Sequence, residues 1–358
     1  MHRPERTYET LNGLRGVAAL VVVMYHYGGP FAIAISSHAI LAVDLFFAIS
    51  GVIMAHVYEE RLRAGLSVAR FMLNRLIRLY PLYMAGTLVL ALMSLGPLLG
   101  HAASTGRTPA GLAATFAWAA LMMPTPGDAT AYLYPLNFPA WSLFYELLAN
   151  LAFAVAAPRL TTRALIWVTG LFAAYLVALG IGEADLASGW TWNGVPVALG
   201  RVGFSFTAGL LLYRLHRARA AWAPRISPVT VMIVTAAMML APETLGTGYT
   251  LASILFVFPA IVWIGLHNEP GRSARIAAWL GVISYPLYTL HVPLMVAVKT
   301  GLYEIFGVAT GNAGLAGVLA STMIMAVAGW GADRWYDRPV RRWLTGATRR
   351  RDTVGVTP

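Results

Sequence analysis

Long apolar stretches alternate with short polar connections along almost the whole chain. Apolar segments fall near 11–27, 41–58, 79–99, 139–157, 163–181, 194–213, 228–241, 249–266, 277–298 and 312–333. A helix needs about 20 apolar residues to cross the roughly 30 Å hydrocarbon core of a bilayer, so this pattern predicts about ten transmembrane helices. A further apolar stretch, 111–123, is too short to cross and lies between Pro109 and the turn Pro124-Thr125-Pro126-Gly127. It suits a short re-entrant or interfacial helix. The expected fold is an all-α polytopic membrane helical bundle, one transmembrane domain over residues 1–344, followed by a basic, disordered tail over 345–358.

Composition agrees with the pattern. Of 358 residues, 58% are hydrophobic and only 11% charged, where a soluble domain carries about 25% charged residues. A soluble globule is excluded, and ten spans leave no room for a large second domain. With no cysteine, the chain has no disulfide, thiolate nucleophile, iron–sulfur cluster or Cys-based zinc site. No HExxH, His-x-His or carboxylate cluster points to a metal centre.

The net charge of +11 is carried almost wholly by arginine, Lys299 being the only lysine. With the N-terminus in the cytoplasm, Arg61, Arg63, Arg70, Arg75, Arg78, Arg159, Arg163, the Arg214–Arg225 cluster, Arg272, Arg275 and the arginines from Arg334 to Arg351 all fall inside. Only Arg107 and Lys299 fall outside, and both termini are expected in the cytoplasm, as the positive-inside rule requires. The basic balance is therefore mostly charge at a lipid surface, and nucleic acid is not an expected partner.

Ionisable groups inside a membrane are costly, so each is a candidate for function. In the first span Arg15 and His26 stand eleven residues apart, three turns plus about 20°, and so share one helix face about 16 Å apart. A long anionic substrate with a reactive far end, such as a coenzyme A thioester, fits that separation. The alternative is that Arg15 snorkels to the surface and His26 caps the opposite interface. Arg75 and Arg78 share a face at the start of the third span, where guanidinium forks suit phosphate oxygens or simply anchor the helix. In "VDLFFAISG" Asp44, Phe47 and Gly51 form one stripe beside Ser50, and packing is the expected role of Gly51. "PAWSLFYE" sets Ser142 and Glu146 one turn apart, with Trp141 suited to an interfacial belt. A buried Glu146 needs a partner, which His26 or Arg201 would supply. "SYPLYTLHVP" aligns Ser284, Tyr288 and His291 on one face between Pro286 and Pro293. That reads either as a cavity lining or as a satisfied interhelical network.

These motifs resemble, in order and spacing, the acyltransferase 3 family of integral membrane acyltransferases that modify bacterial surface sugars. The resemblance runs from "LNGLRGVAALVVVMYHY" through "VDLFFAISGV", "RLIRLYP", "PAWSLFYE" and "ISYPLYTLH" to "YDRPVRRWL". It implies a multi-pass protein of the bacterial inner membrane that takes an acyl-CoA, acetyl-CoA first among them, from the cytoplasm. The acyl group would pass to a hydroxyl of a saccharide, glycolipid or small-molecule acceptor. Carried onto this chain, the family's patterns fall on Arg15 and His26, on Arg75 and Arg78, on Phe46, Phe47, Ser50 and Gly51, on Trp141, Ser142 and Glu146, and on Ser284, Tyr285, Tyr288 and His291. Asp337 stands where the family usually has Glu, which keeps the charge and shortens the reach. An SGNH-type hydrolase domain carried by some members is missing, so acceptor handling is expected in the bundle or in a partner.

Acyl transfer to an alcohol needs a base, and neutral imidazole is the usual one near pH 7. His26 is the expected base, with Glu146 or Asp44 as orienter. Arg15, Arg75 and Arg78 are expected to bind the donor, and Ser50, Gly51, Trp141, Ser142, Ser284, Tyr285, Tyr288 and His291 to line the cavity. Ser142, Tyr288 or a backbone N–H freed by a proline would steady the oxyanion. With no Cys, direct transfer is expected over an acyl-enzyme. The competing reading is a secondary transporter or channel for an anionic metabolite, which also wants buried Arg, His and Glu.

Overall fold

A computed structural model of the chain describes residues 8–29, 33–99, 108–128, 130–182, 184–218, 222–268, 271–306 and 314–354. Helices follow the apolar segments. They are α1 (Glu9–Gly28), α2 (Ala42–Arg63), α3 (Val68–Leu99), α4 (Pro109–Ala120), α5 (Ala140–Ala156), α6 (Thr162–Ile181), α7 (Val195–Arg217) and α8 (Pro228–Met239). Then come α9 (Gly246–Ala252) and α10 (Phe258–His267), joined by a π turn over Ser253–Val257, followed by α11 (Ala274–Phe306), α12 (Gly314–Ala332) and α13 (Arg338–Val354). The described residues hold no strand beyond one isolated bridge between Tyr132 and Thr191.

Eight helical segments among the described residues are long and apolar enough to cross a membrane. The other two expected spans are α1 and α8. Helix α1 has the length, at 20 residues, but Asn12, Arg15 and His26 make it more polar. Helix α8, at 12 residues, reaches only about 18 Å. The short element α4 also has 12 residues and packs on α3, where Tyr83 Oη donates to Ala119 O (2.7 Å) and Tyr80 Oη to Ala120 O (2.9 Å). The stretch from Thr345, expected as a disordered tail, continues helix α13 as far as Val354. Its start is tied to the bundle through Asp337, in the π turn that precedes it, which pairs with Arg78 of α3 at 3.4 Å. Arg107 and the side chain of Lys299 lie outside the described residues.

Why these helices pack as they do is written in their small residues. Between membrane helices there is little hydrophobic drive, so close van der Waals approach dominates. On α1, Gly16 meets the backbone of Leu280 on α11 so closely that a Cβ would collide with it. Gly51 on α2 and Gly209 on α7 do the same for each other's helices, against Phe206 O and Ala48 O. Helix α6 lies at the rim, presenting Ile166, Trp167, Leu171 and Ile181 outward, as a lipid-facing surface should. Helix α1 is the inner post of the bundle, with Leu11, Leu14, Ala18, Ala19 and Val23 fully enclosed.

The α2–α7 pair is also pinned by charge. Arg201 and Asp44, both fully buried, meet at 2.5 Å (Nη2–Oδ2), and Arg201 Nε donates to the same carboxylate at 3.1 and 3.2 Å. Arg201 Nη2 also donates to Ile40 O at 3.0 Å and Nη1 to Ser188 O at 3.3 Å. A buried ion pair holds only when its remaining hydrogen-bonding capacity is met in this way.

Candidate active site

Helix α1 carries Arg15 and His26 toward two cavities that lie end to end. The first, about 140 Å³, is lined by Arg15 of α1, Ser50 of α2, Arg75 and Arg78 of α3, Ser142 and Glu146 of α5, and Ser284, Tyr285 and Tyr288 of α11. The second, about 470 Å³, is lined by Tyr25 and His26 of α1, Tyr132, Phe138 and Trp141 before and at the start of α5, and Trp190. Val43 and Tyr288 line both. Arg15 and His26 thus line different chambers, whose linings share these two side chains.

The first chamber is cationic. Arg75 Nη2 donates to Glu146 Oε1 at 2.7 Å, and Ser50 Oγ donates to the same oxygen at 2.8 Å. Arg75 Nε is buried with no hydrogen-bond partner among the described residues. Arg78 lies over the Tyr285 ring, 4.8 Å from its centroid, and its Nη1 reaches Asp337 Oδ2 at 3.4 Å. The shorter Asp337 thus makes its contact, and Arg341 Nε approaches it from the other side at 3.0 Å. Tyr285 Oη donates to Leu79 O, tying α11 to α3. Three guanidiniums against one carboxylate in the lining of this chamber fit an anionic ligand, and planar forks suit phosphate in particular.

The second chamber is aromatic. Two loops roof it. Leu133 N donates to Trp190 O at 2.8 Å and Trp192 N to Ala131 O at 3.2 Å, bringing Tyr132 and Trp190 over the space. His26 projects into it with its ring held by neighbours: Tyr25 edge-on at 4.9 Å, Phe138 edge-on at 5.1 Å and His291 stacked at 4.9 Å. Among the described residues, no Asp, Glu, Lys or Arg lines it. A neutral, aromatic-walled chamber with one imidazole suits a sugar ring, whose C–H faces pack on aromatic rings while its hydroxyls seek hydrogen bonds.

Where the linings meet, the Tyr288 hydroxyl lies 2.5 Å from Ser142 Oγ and donates to Pro139 O at 3.2 Å. Both hydroxyls line the arginine chamber. Two protons serve their mutual bond and Pro139 O, to which Ser142 Oγ also lies at 3.2 Å, so one hydroxyl of the pair can turn to a carbonyl oxygen there.

Four sequence expectations change. Asp44 is committed to Arg201 and Glu146 to Arg75 and Ser50, so neither carboxylate orients His26. The partner of Glu146 is Arg75, rather than His26 or Arg201. Gly51 faces the α7 backbone instead of a cavity. His291 lines neither chamber. It is enclosed behind His26, with its Nδ1–H donating to Tyr288 O at 2.8 Å and Leu287 O at 3.2 Å. Trp141 lines the aromatic chamber, while Ser50, Ser142, Ser284, Tyr285 and Tyr288 line the arginine chamber, as expected of cavity residues. Sequence reasoning missed Val43, Tyr132 and Trp190. The signal for the last two was an aromatic residue inside each of two polar connections. Among the described residues no group of three or more His, Asp or Glu gathers as a metal site would require.

Comparison with known proteins agrees with the geometry. A family model described as an acyltransferase domain matches residues 8–332. Protein 2 in the picA locus of Rhizobium radiobacter is 36% identical over 186 residues, covering 49% of this chain and 94% of that protein. BcsY of Komagataeibacter xylinus, whose name describes a membrane-bound transacylase, is 26% identical over 355 residues, covering 90% of this chain and 81% of its own. The exopolysaccharide production protein ExoZ of Rhizobium meliloti is 26% identical over 329 residues, covering 88% and 92%. No solved structure matches the chain. The span of the family match, together with the ordered motifs that build both chambers, leads to one conclusion: the chain belongs to the acyltransferase 3 family of membrane acyltransferases.

Proposed function

We propose that this protein transfers an acyl group, acetyl first among the candidates, from acyl-CoA to a hydroxyl of a saccharide acceptor, with His26 as general base. The observation that carries the reading is the pair of chambers along α1, cationic at Arg15 and aromatic at His26, both lined by Val43 and Tyr288. Arg15, Arg75 and Arg78 hold the phosphates of the donor at the cytoplasmic side of a bacterial inner membrane, and the acceptor sits beside His26. Family membership and relatives named for transacylation and exopolysaccharide production support acyl transfer over the transport of an anion.

Chemistry takes place where the chambers meet. His26 accepts the proton of the acceptor hydroxyl as its oxygen attacks the thioester carbonyl, forming the C–O bond. The resulting oxyanion takes a hydrogen bond from the Tyr288 hydroxyl, which turns from Pro139 O while still accepting from Ser142. Collapse breaks the C–S bond, and the proton held by His26 returns to the departing thiolate. No acyl-enzyme is needed.

The test is mass spectrometry of envelope glycans and lipids from cells with and without the protein, complemented by wild type or His26→Ala. Loss of one acyl mass from a glycan, restored by wild type alone, is the expected result. An unchanged acyl profile, or full restoration by His26→Ala, overturns the assignment. Purified protein given labelled acetyl-CoA without acceptor should retain no label after denaturation.

A further inference from the structure

The aromatic chamber differs from the arginine chamber in charge as much as in shape. Among the described residues its lining holds no Asp, Glu, Lys or Arg, and is built chiefly from Tyr25, Tyr132, Phe138, Trp141, Trp190 and Tyr288. One guanidinium reaches the edge of this space, since Arg201 Nη2 donates to the carbonyl of Ile40, a lining residue. That guanidinium is already committed. Each of its three nitrogens donates within the protein, and the Asp44 carboxylate balances its charge. Outside the lining the sign is negative: Asp185, in the same connection as Trp190, and Glu243 are exposed, and both carboxylates act on Tyr25.

At about 470 Å³ the chamber is about three times the roughly 150 Å³ of an engineered cavity that accepts benzene. It takes in a whole sugar ring together with the substituents of that ring.

From this we propose that the sugar receiving the acyl group is uncharged, and that the aromatic chamber rejects a ring carrying a carboxylate or phosphate. The inference rests on the acceptor reading given above and adds to it the charge class of the acceptor. An anionic group brought in on that ring would lose water and meet no compensating cation, which makes its burial costly. In the described lining, His26 alone can carry the opposite charge, as imidazolium, and an imidazolium cannot accept the proton of the attacking hydroxyl. An acidic sugar is therefore either shut out or held beside a base that has lost its lone pair. Neutral hydroxyls and amides meet no such conflict, because tyrosine hydroxyls and indole N–H groups exchange hydrogen bonds with them.

The experiment has two arms. In the first, tandem mass spectrometry of the envelope glycan that lacks its acyl group in cells without the protein identifies the residue that carried it. An uncharged sugar is expected. An acyl group on a uronic acid or another acidic residue overturns the inference, whereas no acyl difference, or one confined to a molecule without sugar, overturns the acceptor reading itself and the inference with it. In the second arm the full chain in lipid nanodiscs transfers acetyl from acetyl-CoA to fragments of that glycan. On a hydroxyl next to the acylated one, these carry either a carboxymethyl group or its carbamoylmethyl counterpart, nearly identical in shape and without charge. The carbamoylmethyl fragment should be favoured about 100-fold or more in kcat/KM, as expected where one of two isosteres leaves a buried polar group unmatched. Both fragments are read on the same protein preparation, so a misfolded fraction does not enter the ratio. Equal rates for the two, whether high or low, overturn the inference.

Discussion

The imidazoles of His26 and His291 stack with their centroids 4.9 Å apart and their planes 22° from parallel. His291 is fixed by its Nδ1–H on two backbone carbonyls, which leaves Nε2 as a bare acceptor, buried with no partner among the described residues. A flat, immobile ring thus supports His26 where a carboxylate was expected. Replacing His26 by Ala should lower acyl incorporation into membranes about 10²- to 10⁴-fold, while the dissociation constant for acetyl-CoA stays within a few fold. His291→Phe preserves a flat ring and should retain far more activity than His291→Ala, with the difference appearing in kcat rather than in KM for acetyl-CoA.

Donor binding should depend on Arg15 in a way that salt reveals. Among the described residues Arg15 has no ion-pair partner, whereas Arg75 and Arg78 each face a carboxylate. Arg15→Ala should raise the Kd for acetyl-CoA by about tenfold or more, as expected for losing one well-placed charged contact. The penalty should shrink at high ionic strength. Arg78→Lys should not rescue binding, because an ammonium neither lies flat over Tyr285 nor forks toward Asp337. Titration calorimetry at two salt concentrations reads both effects.

The Asp44–Arg201 pair is expected to hold the bundle rather than the substrate. Removing one partner leaves an uncompensated buried charge, a cost of about 3–5 kcal/mol. Asp44→Ala and Arg201→Ala should therefore each lower the thermal midpoint in detergent sharply. The double variant Asp44→Leu with Arg201→Leu should be more stable than either single one. Destabilisation by the double variant equal to the sum of the two would argue that the residues act separately.

Glycines on the same bundle should respond in opposite directions. Gly51→Ala forces α2 away from Phe206 and Leu210 on α7 and should cost about 1–3 kcal/mol, as overpacking does. Gly170 on α6 has nothing near its Cβ position, so Gly170→Ala should be neutral or stabilising by up to about 1 kcal/mol through helix propensity. Thermal unfolding of the two variants side by side is the measurement.

The positions of the long helices were legible because a membrane span leaves a one-dimensional signature, a run of apolar residues of sufficient length. The shared face of Arg15 and His26 was legible for a similar reason, since both sit on one helix whose periodicity fixes their spacing. What the chain concealed was long-range pairing. Asp44 and Arg201 are separated by 157 positions, and only the scarcity of buried charges hinted that they belong together. For Glu146 the sequence pointed to His26 or Arg201, and finding Arg75 instead required knowing how α3 lies against α5. Val43 was invisible as a cavity residue, because nothing separates it from any other valine on a span until two cavities share it.

The roof of the aromatic chamber is shared between two connections far apart in the chain, one bringing Tyr132 and the other Trp190, cross-linked by backbone hydrogen bonds. Neither half closes the space alone. Transplanting acceptor preference from a relative should accordingly require both connections to be exchanged together, whereas a chimera that imports a single one would pair mismatched backbones and open the chamber to its surroundings.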